Sequence, residues 1–307
     1  MLKYIQKRVV FTLPTIFLTS LVVFLMLFLI PGDPASIYVG DRTATPERLA
    51  QIRHAMGLDR PVYEQYAEFL WRALHGDLGR SLQTDRPVAV EISSRWMSTV
   101  ELALAAMGLA IVLGFGLGLI SGLRRNSLYD TLSMMVALLG ISVPVFWLAL
   151  LLIMLFAVHF RWVPATSEPG LRGLILPAVS LALLSAATLA RLVRSSILEV
   201  LRLDYMTTAR AKGLRAAVVV LRHALPNAIL PVITAMGLQL GALLSGAVIT
   251  ETVFARPGLG KLVVDSIQNK DFPTVQGVIL VLALIYVVMN FIVDLSYALI
   301  DPRIRFE

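Results

Sequence analysis

The chain contains no cysteine. That removes disulfide scaffolds, zinc fingers, iron–sulfur centres and cysteine catalysis together. Charge is scarce as well. Asp, Glu, Lys and Arg supply 15% of the 307 residues, against about 25% in an ordinary soluble domain. Histidine occurs only at His54, His75, His159 and His223, without metal-ligand spacing and without an HExxH pair. Apolar residues take the place of charge: 57% of the chain is hydrophobic and the mean hydropathy is +0.79. The apolar runs are long enough for spanning helices and too long for barrel strands. The composition therefore predicts an all-α integral membrane protein.

Nucleotide and protease signatures are missing too. Gly258-Leu259-Gly260-Lys261 has part of a phosphate loop. The full pattern needs glycine five residues before the second glycine and Ser or Thr after the lysine. Those positions hold Ala255 and Leu262. Leu244-Ser245-Gly246 lies inside an apolar run. An intramembrane serine protease needs a histidine base at membrane depth, and all four histidines fall in loops or at span ends.

Six spans are expected, near residues 9–30, 99–123, 131–158, 174–193, 227–253 and 275–299. Lys3, Lys7 and Arg8 precede the first run, whose 22 residues from Val9 to Ile30 exceed a signal-peptide core of about 7–15. We read it as a retained helix. The third span contains Pro144 and is expected to kink there. With both termini inside, segments 1–8, 124–130, 191–226 and 300–307 carry 14 of the 27 Lys and Arg in 59 residues. The outer segments carry 13 in 104 residues. This asymmetry satisfies the positive-inside rule and accounts for the net charge of +7 without nucleic acid.

The first outer loop, 31–98, is long enough to fold. Thr45-Pro46-Glu47 has the composition of a helix start. Leu49, Ile52 and Met56 share one face, and Gly57 is a stop. A second helix is expected from Pro61 to His75, with Val62, Tyr66, Phe69, Leu70 and Leu74 as its apolar stripe. Two spans carry small residues four apart: Gly114, Gly118 and Gly122, then Gly237, Gly241 and Ser245. Such stripes allow close helix packing, within or between subunits. Glu101 and Asp294 are the clearest charges within spans, and charge at membrane depth often marks function. A proton-coupled carrier using one of them stays open from these residues.

The longest inner loop holds Tyr205-Met206-Thr207-Thr208-Ala209-Arg210-Ala211-Lys212-Gly213-Leu214. Tyr205 to Lys212 lacks proline and glycine and reads as a short helix. Gly213 is placed to end it in the left-handed conformation. Such an element either lies on anionic lipid or docks in a groove on another protein.

This loop resembles the cytoplasmic loop of permease subunits in bacterial ABC importers. The matching residues are Thr208-Ala209-Arg210-Ala211-Lys212-Gly213 and, further on, Ile229-Leu230-Pro231. Thr208 stands where the family pattern opens on glutamate. Further stretches resemble the dipeptide/oligopeptide branch: Pro31-Gly32-Asp33-Pro34, Gly57-Leu58-Asp59-Arg60-Pro61, Gly76-Asp77-Leu78-Gly79-Arg80-Ser81, Pro257-Gly258-Leu259-Gly260, Asp271-Phe272-Pro273-Thr274-Val275-Gln276-Gly277 and Asp301-Pro302-Arg303-Ile304-Arg305. Nearly the whole chain is covered, and the likeness is to the first of the two permeases.

The resemblance implies a type I ABC importer permease fold with a small helical periplasmic lobe. Residues 1–98 would form the first helix and lobe. Residues 99–307 would form a five-helix core with a coupling loop at 199–226. It implies a bacterial inner-membrane location with both termini cytoplasmic, and half of a translocation pathway for short peptides such as dipeptides, oligopeptides or glutathione. Nickel or another small solute is the alternative. The implied partners are a second, homologous permease, two ATPase subunits and a periplasmic binding protein. This chain would carry no cofactor and no catalytic site; ATP and magnesium would bind the ATPases. The expected coupling residues are Tyr205, Thr208, Ala209, Arg210, Ala211, Lys212, Gly213 and Leu214. From polarity within the spans, Ser142, Ser185, Thr188, Gln239 and Asn290 are candidate pathway residues.

Overall fold

A computed structural model describes residues 2–29, 45–55, 59–166, 168 and 170–300. The stretches Pro31–Pro34, Gly57-Leu58 and Asp301–Arg305 lie outside the described residues. So do the Ile52 and Met56 side chains of the lobe stripe.

The described residues are almost entirely helical, and their one extended pairing is an isolated bridge between Arg80 and Pro87. The helices are α1 (Leu2–Leu29), α2 (Pro46–Ala55), α3 (Val62–Leu74), α4 (Val88–Leu123), α5 (Leu128–Ser142) and α6 (Val145–His159). They continue as α7 (Leu171–Val200), α8 (Asp204–Ala211), α9 (Ala216–Ala228), α10 (Leu230–Gly246), α11 (Val248–Val253), α12 (Leu259–Gln268) and α13 (Phe272–Ile300). Helices α4, α7 and α13 are each long and apolar enough to cross a bilayer. The bent pairs α5–α6 and α9–α10 pass the same test jointly, and α1 carries a shorter apolar stretch, Val10–Met26. By length and composition these give three to five spans among the described residues, with α1 in the place of the first expected one.

The third span departs from expectation. The sequence predicts one kinked helix, but α5 and α6 meet at 104°. Proline disfavours helical geometry in the residue before it. Val143 is accordingly extended (φ −91°, ψ 123°), and α6 restarts after Pro144. Its end, Ile153–His159, unwinds into a π-helix. The fifth span is also bent. Its helix begins at Ala216 rather than near residue 227 and turns by 50° at Ile229–Leu230, beside Pro231. Helix α4 runs unbroken through residue 98.

The core is built on α4 against α7. Gly114, Gly118 and Gly122 let α4 approach Ala186, Ala190 and Ile197 of α7. A Cβ at Gly118 would stand 2.5 Å from the Ala190 carbonyl oxygen. The first small-residue stripe is therefore an intramolecular seam. In the second, Gly237 faces Val293 of α13 and Gly241 faces Tyr286; the side chain of Ser245 is outside the described set. A continuous apolar core joins α4, α7, α8, α9 and α10 through Leu102, Leu189, Ile197, Met206, Val219 and Leu243.

Candidate functional site

Two ends of the bundle carry chemistry. One bears α8; the other bears the α2–α3 lobe.

Helix α8 is eight residues long, with Asp204 in its first turn and Arg210 in its last. Both charges complement the helix dipole. Met206 and Ala209, three apart, form its inward face. Met206 is 0% exposed and packs in the main core with Val200, Val219 and Ala224. Tyr205, Thr208, Arg210, Ala211, Lys212, Gly213 and Leu214 are all exposed. Ala209 is thus buried in the chain's own core, beside Met206. Thr208 Oγ1 donates to the Asp204 carbonyl at 3.2 Å. Gly213 adopts φ +74°, and its N–H donates to the Arg210 carbonyl at 3.0 Å. Nothing lies within 4 Å of where its Cβ would stand. The glycine is required by backbone conformation, not by crowding. Two buried side chains hold this short helix, and its other face is exposed.

At the same end Arg194 of α7 grips Asp130 of α5, Nε at 2.8 Å and Nη2 at 2.9 Å. Ser121 of α4 also donates to Asp130, and the Asn126 N–H donates at 3.0 Å. This network ties three helices beside α8. Its sequence signal was the Ser127 N-cap, whose side chain accepts from the Asp130 N–H.

At the lobe end Glu251 of α11 is 0% exposed. Its carboxylate accepts from Thr99 Oγ1 at 2.6 Å, the Gly260 N–H at 2.8 Å and the Lys261 N–H at 3.2 Å. It fills the anion site that the α12 N-terminus offers. This explains the partial phosphate loop: the chain's own carboxylate sits where a phosphate would. A Cβ at Gly258 would fall on that carboxylate, and one at Gly260 on the Val248 backbone. Arg256 pairs with Glu101 at 3.0 Å, and Asp294 pairs with Arg8 at 2.9 Å. Both intraspan charges are therefore compensated.

Asp271 links the two outer motifs. It caps α13 by accepting from the Thr274 N–H at 3.5 Å, and it also accepts from Thr274 Oγ1 at 2.8 Å, Ser81 Oγ at 2.5 Å and the Leu82 N–H at 3.0 Å. In the lobe, Arg72 donates to Asp77 at 2.8 Å. That bond, with the Gly79 N–H, holds the Asp77 carboxyl below its usual range.

The five polar candidates differ in their surroundings. Ser142, at the α5–α6 break, and Thr188 donate to the carbonyls of Leu138 and Leu184. Ser185 is buried in α7. The Gln239 amide atoms and Asn290 Oδ1 are buried with no hydrogen-bond partner among the described residues. Asn290 lines a cavity of about 370 Å³ with Thr12, Thr15, Thr19 and Tyr286. None of the other four lines it.

These features define a multi-pass helical membrane protein. The chain belongs to the binding-protein-dependent transport system inner membrane component family. That family's model matches residues 114–306, and its N-terminal companion matches residues 1–103. The chain is 43% identical, over all of both chains, to the di/tripeptide transport system permease protein DppB of Pseudomonas aeruginosa. It is 43% identical, again over all of both chains, to the glutathione transport system permease protein GsiC of Escherichia coli K12. Among solved structures, an inward-facing form of the MetNI methionine ABC transporter superposes with a TM-score of 0.60 at 19% identity. The match covers 69% of this chain and 96% of that one, and it shows the shared fold.

Proposed function

We propose that the chain forms half of the translocation pathway of an ATP-driven, binding-protein-dependent importer for short peptides, including di- and tripeptides or glutathione. The full-length likeness to DppB and GsiC supports the substrate class. The single structural observation behind the coupling role is α8, anchored by Met206 and Ala209 and exposed along Tyr205, Thr208, Arg210, Ala211 and Lys212. One of two partner ATPases, which carry the ATP and magnesium, docks there and passes its movement through α7 and α9 to the spans. A second, homologous permease completes the pathway, and a periplasmic binding protein delivers substrate at the lobe end. The excess of Lys and Arg in segments 1–8, 124–130, 191–226 and 300–307 supports cytoplasmic termini and a cytoplasmic α8. The unpartnered Gln239 amide and Asn290 Oδ1 support pathway roles, since a buried polar group without a partner costs about 1–3 kcal/mol. Ser142, Ser185 and Thr188 are the weaker members of that set.

Deleting the gene is expected to abolish uptake of labelled dipeptide, tripeptide or glutathione, with recovery on complementation. Normal uptake of all three alongside lost nickel uptake would replace the peptide assignment with the metal one.

A further inference from the structure

Helix α3 has three faces. Tyr66 and Phe69 point to α1. The Tyr66 hydroxyl is 2.8 Å from Ser20 Oγ and 3.3 Å from the Phe17 carbonyl oxygen, and Phe24 packs at a tilt against the rings of Tyr66 and Phe69. At 100° per residue, Glu64, Glu68 and Arg72 form a second, charged flank. Its ion pairs are exposed: Arg60–Glu68 at 3.0 Å and Arg72–Asp77 at 2.8 Å. The third flank is apolar and uncovered. It holds Tyr63 (72% exposed), Ala67, Trp71 (66%) and Leu74 (82%).

The docking point fixes the depth of this helix. Helices α1 and α13 run antiparallel. Arg8 meets Asp294 at one end of the pair, and the Gln276 amide meets the Val23 and Phe24 carbonyls near the other. Phe17 and Ser20 both lie inside the apolar stretch Val10–Met26 of α1. Ser20 is six residues from Met26, about 9 Å along the helix. Interfacial amphipathic helices bury their apolar faces about 5–10 Å into the headgroup–acyl boundary. Tyr and Trp are the side chains enriched at that level of a bilayer.

We propose that α3 is an interfacial membrane helix. Tyr63, Ala67, Trp71 and Leu74 lie in phospholipid, while Glu64, Glu68 and Arg72 face water. The lobe is then tethered to the membrane surface as well as to α1, so it holds a constant height beside the spans.

The absence of native cysteine makes the test direct. Single nitroxides are attached to Trp71→Cys, Leu74→Cys, Glu64→Cys and Glu68→Cys variants of the full chain, purified with its co-expressed subunits and placed in phosphatidylethanolamine/phosphatidylglycerol nanodiscs. Collision with oxygen, which concentrates in lipid, is compared with collision with a water-soluble nickel chelate. Oxygen dominance at positions 71 and 74, inverting to nickel dominance at 64 and 68, is the expected result. Nickel dominance at 71 and 74 would place the flank in water and overturn the proposal. Shielding of 71 and 74 from both probes would put a protein partner there and equally overturn it.

Discussion

Gly213→Val is expected to abolish transport while the chain reaches the membrane at normal abundance. Gly213 sits at φ +74°, a region closed to β-branched residues without strain. The strain is about 1–3 kcal/mol. Relief comes by rotating the peptide back to negative φ, which redirects Leu214 and Arg215 and displaces the end of α8. No neighbour lies within 4 Å of the new Cβ, so the packed seams of the bundle are untouched. The loss falls on the fit between α8 and whatever docks on it. Asn tolerates the left-handed region, so Gly213→Asn should retain most uptake, which separates conformation from side-chain bulk. Lys212→Ala should also be mild, because the Lys212 side chain is exposed and the turn keeps its shape. Membrane abundance, ATPase co-purification and uptake are the three readouts. Full uptake by Gly213→Val at normal abundance would refute the coupling role of α8.

Gly118→Ala is expected to cost stability, in contrast to the same substitution two residues away. At Gly118 the added methyl meets the Ala190 carbonyl oxygen at 2.5 Å and Val193 Cβ at 2.7 Å. Neither is the end of a flexible side chain, so α4 and α7 must separate. Overpacking of this kind costs about 1–3 kcal/mol. It falls on the most extensive helix contact among the described residues, so the folded fraction should drop and thermal inactivation should begin at lower temperature. Gly116 has nothing within 4 Å of its Cβ position. Gly116→Ala should be neutral, or stabilising by up to about 1 kcal/mol through helix propensity. Equal thermal stability of the two variants would contradict the seam.

What the sequence shows well is what short stretches of chain determine. The apolar runs set the spans, and α8 was expected at Tyr205–Lys212 and lies at Asp204–Ala211. The positive φ of Gly213 follows from a glycine placed after a helical run. Pro144 announced a distortion, but a proline alone does not choose between a kink and a 104° break; the extended Val143 marks the break. The inward placement of Ala209 was hidden because Ala209 and Ala211 look alike until Met206 fixes which face is buried. In the sequence Glu251 is simply one acidic residue near the end of an apolar run. Its role depends on Thr99, far away in the sequence, and on the α12 N-terminus. Asp271 and Ser81 likewise lie in separate motifs, and only the fold shows that one hydrogen bond joins them.

The central claim is that this chain conducts substrate only as a partner-dependent subunit driven by ATP. The direct measurement is peptide uptake into proteoliposomes, with the chain reconstituted alone or together with the second permease and ATPases that co-purify with it. The binding protein and ATP are supplied on their proper sides. The account predicts no ATP hydrolysis and no uptake by the chain alone, and ATP-dependent uptake by the assembly. Uptake by the chain alone, driven by an imposed proton gradient, would contradict it.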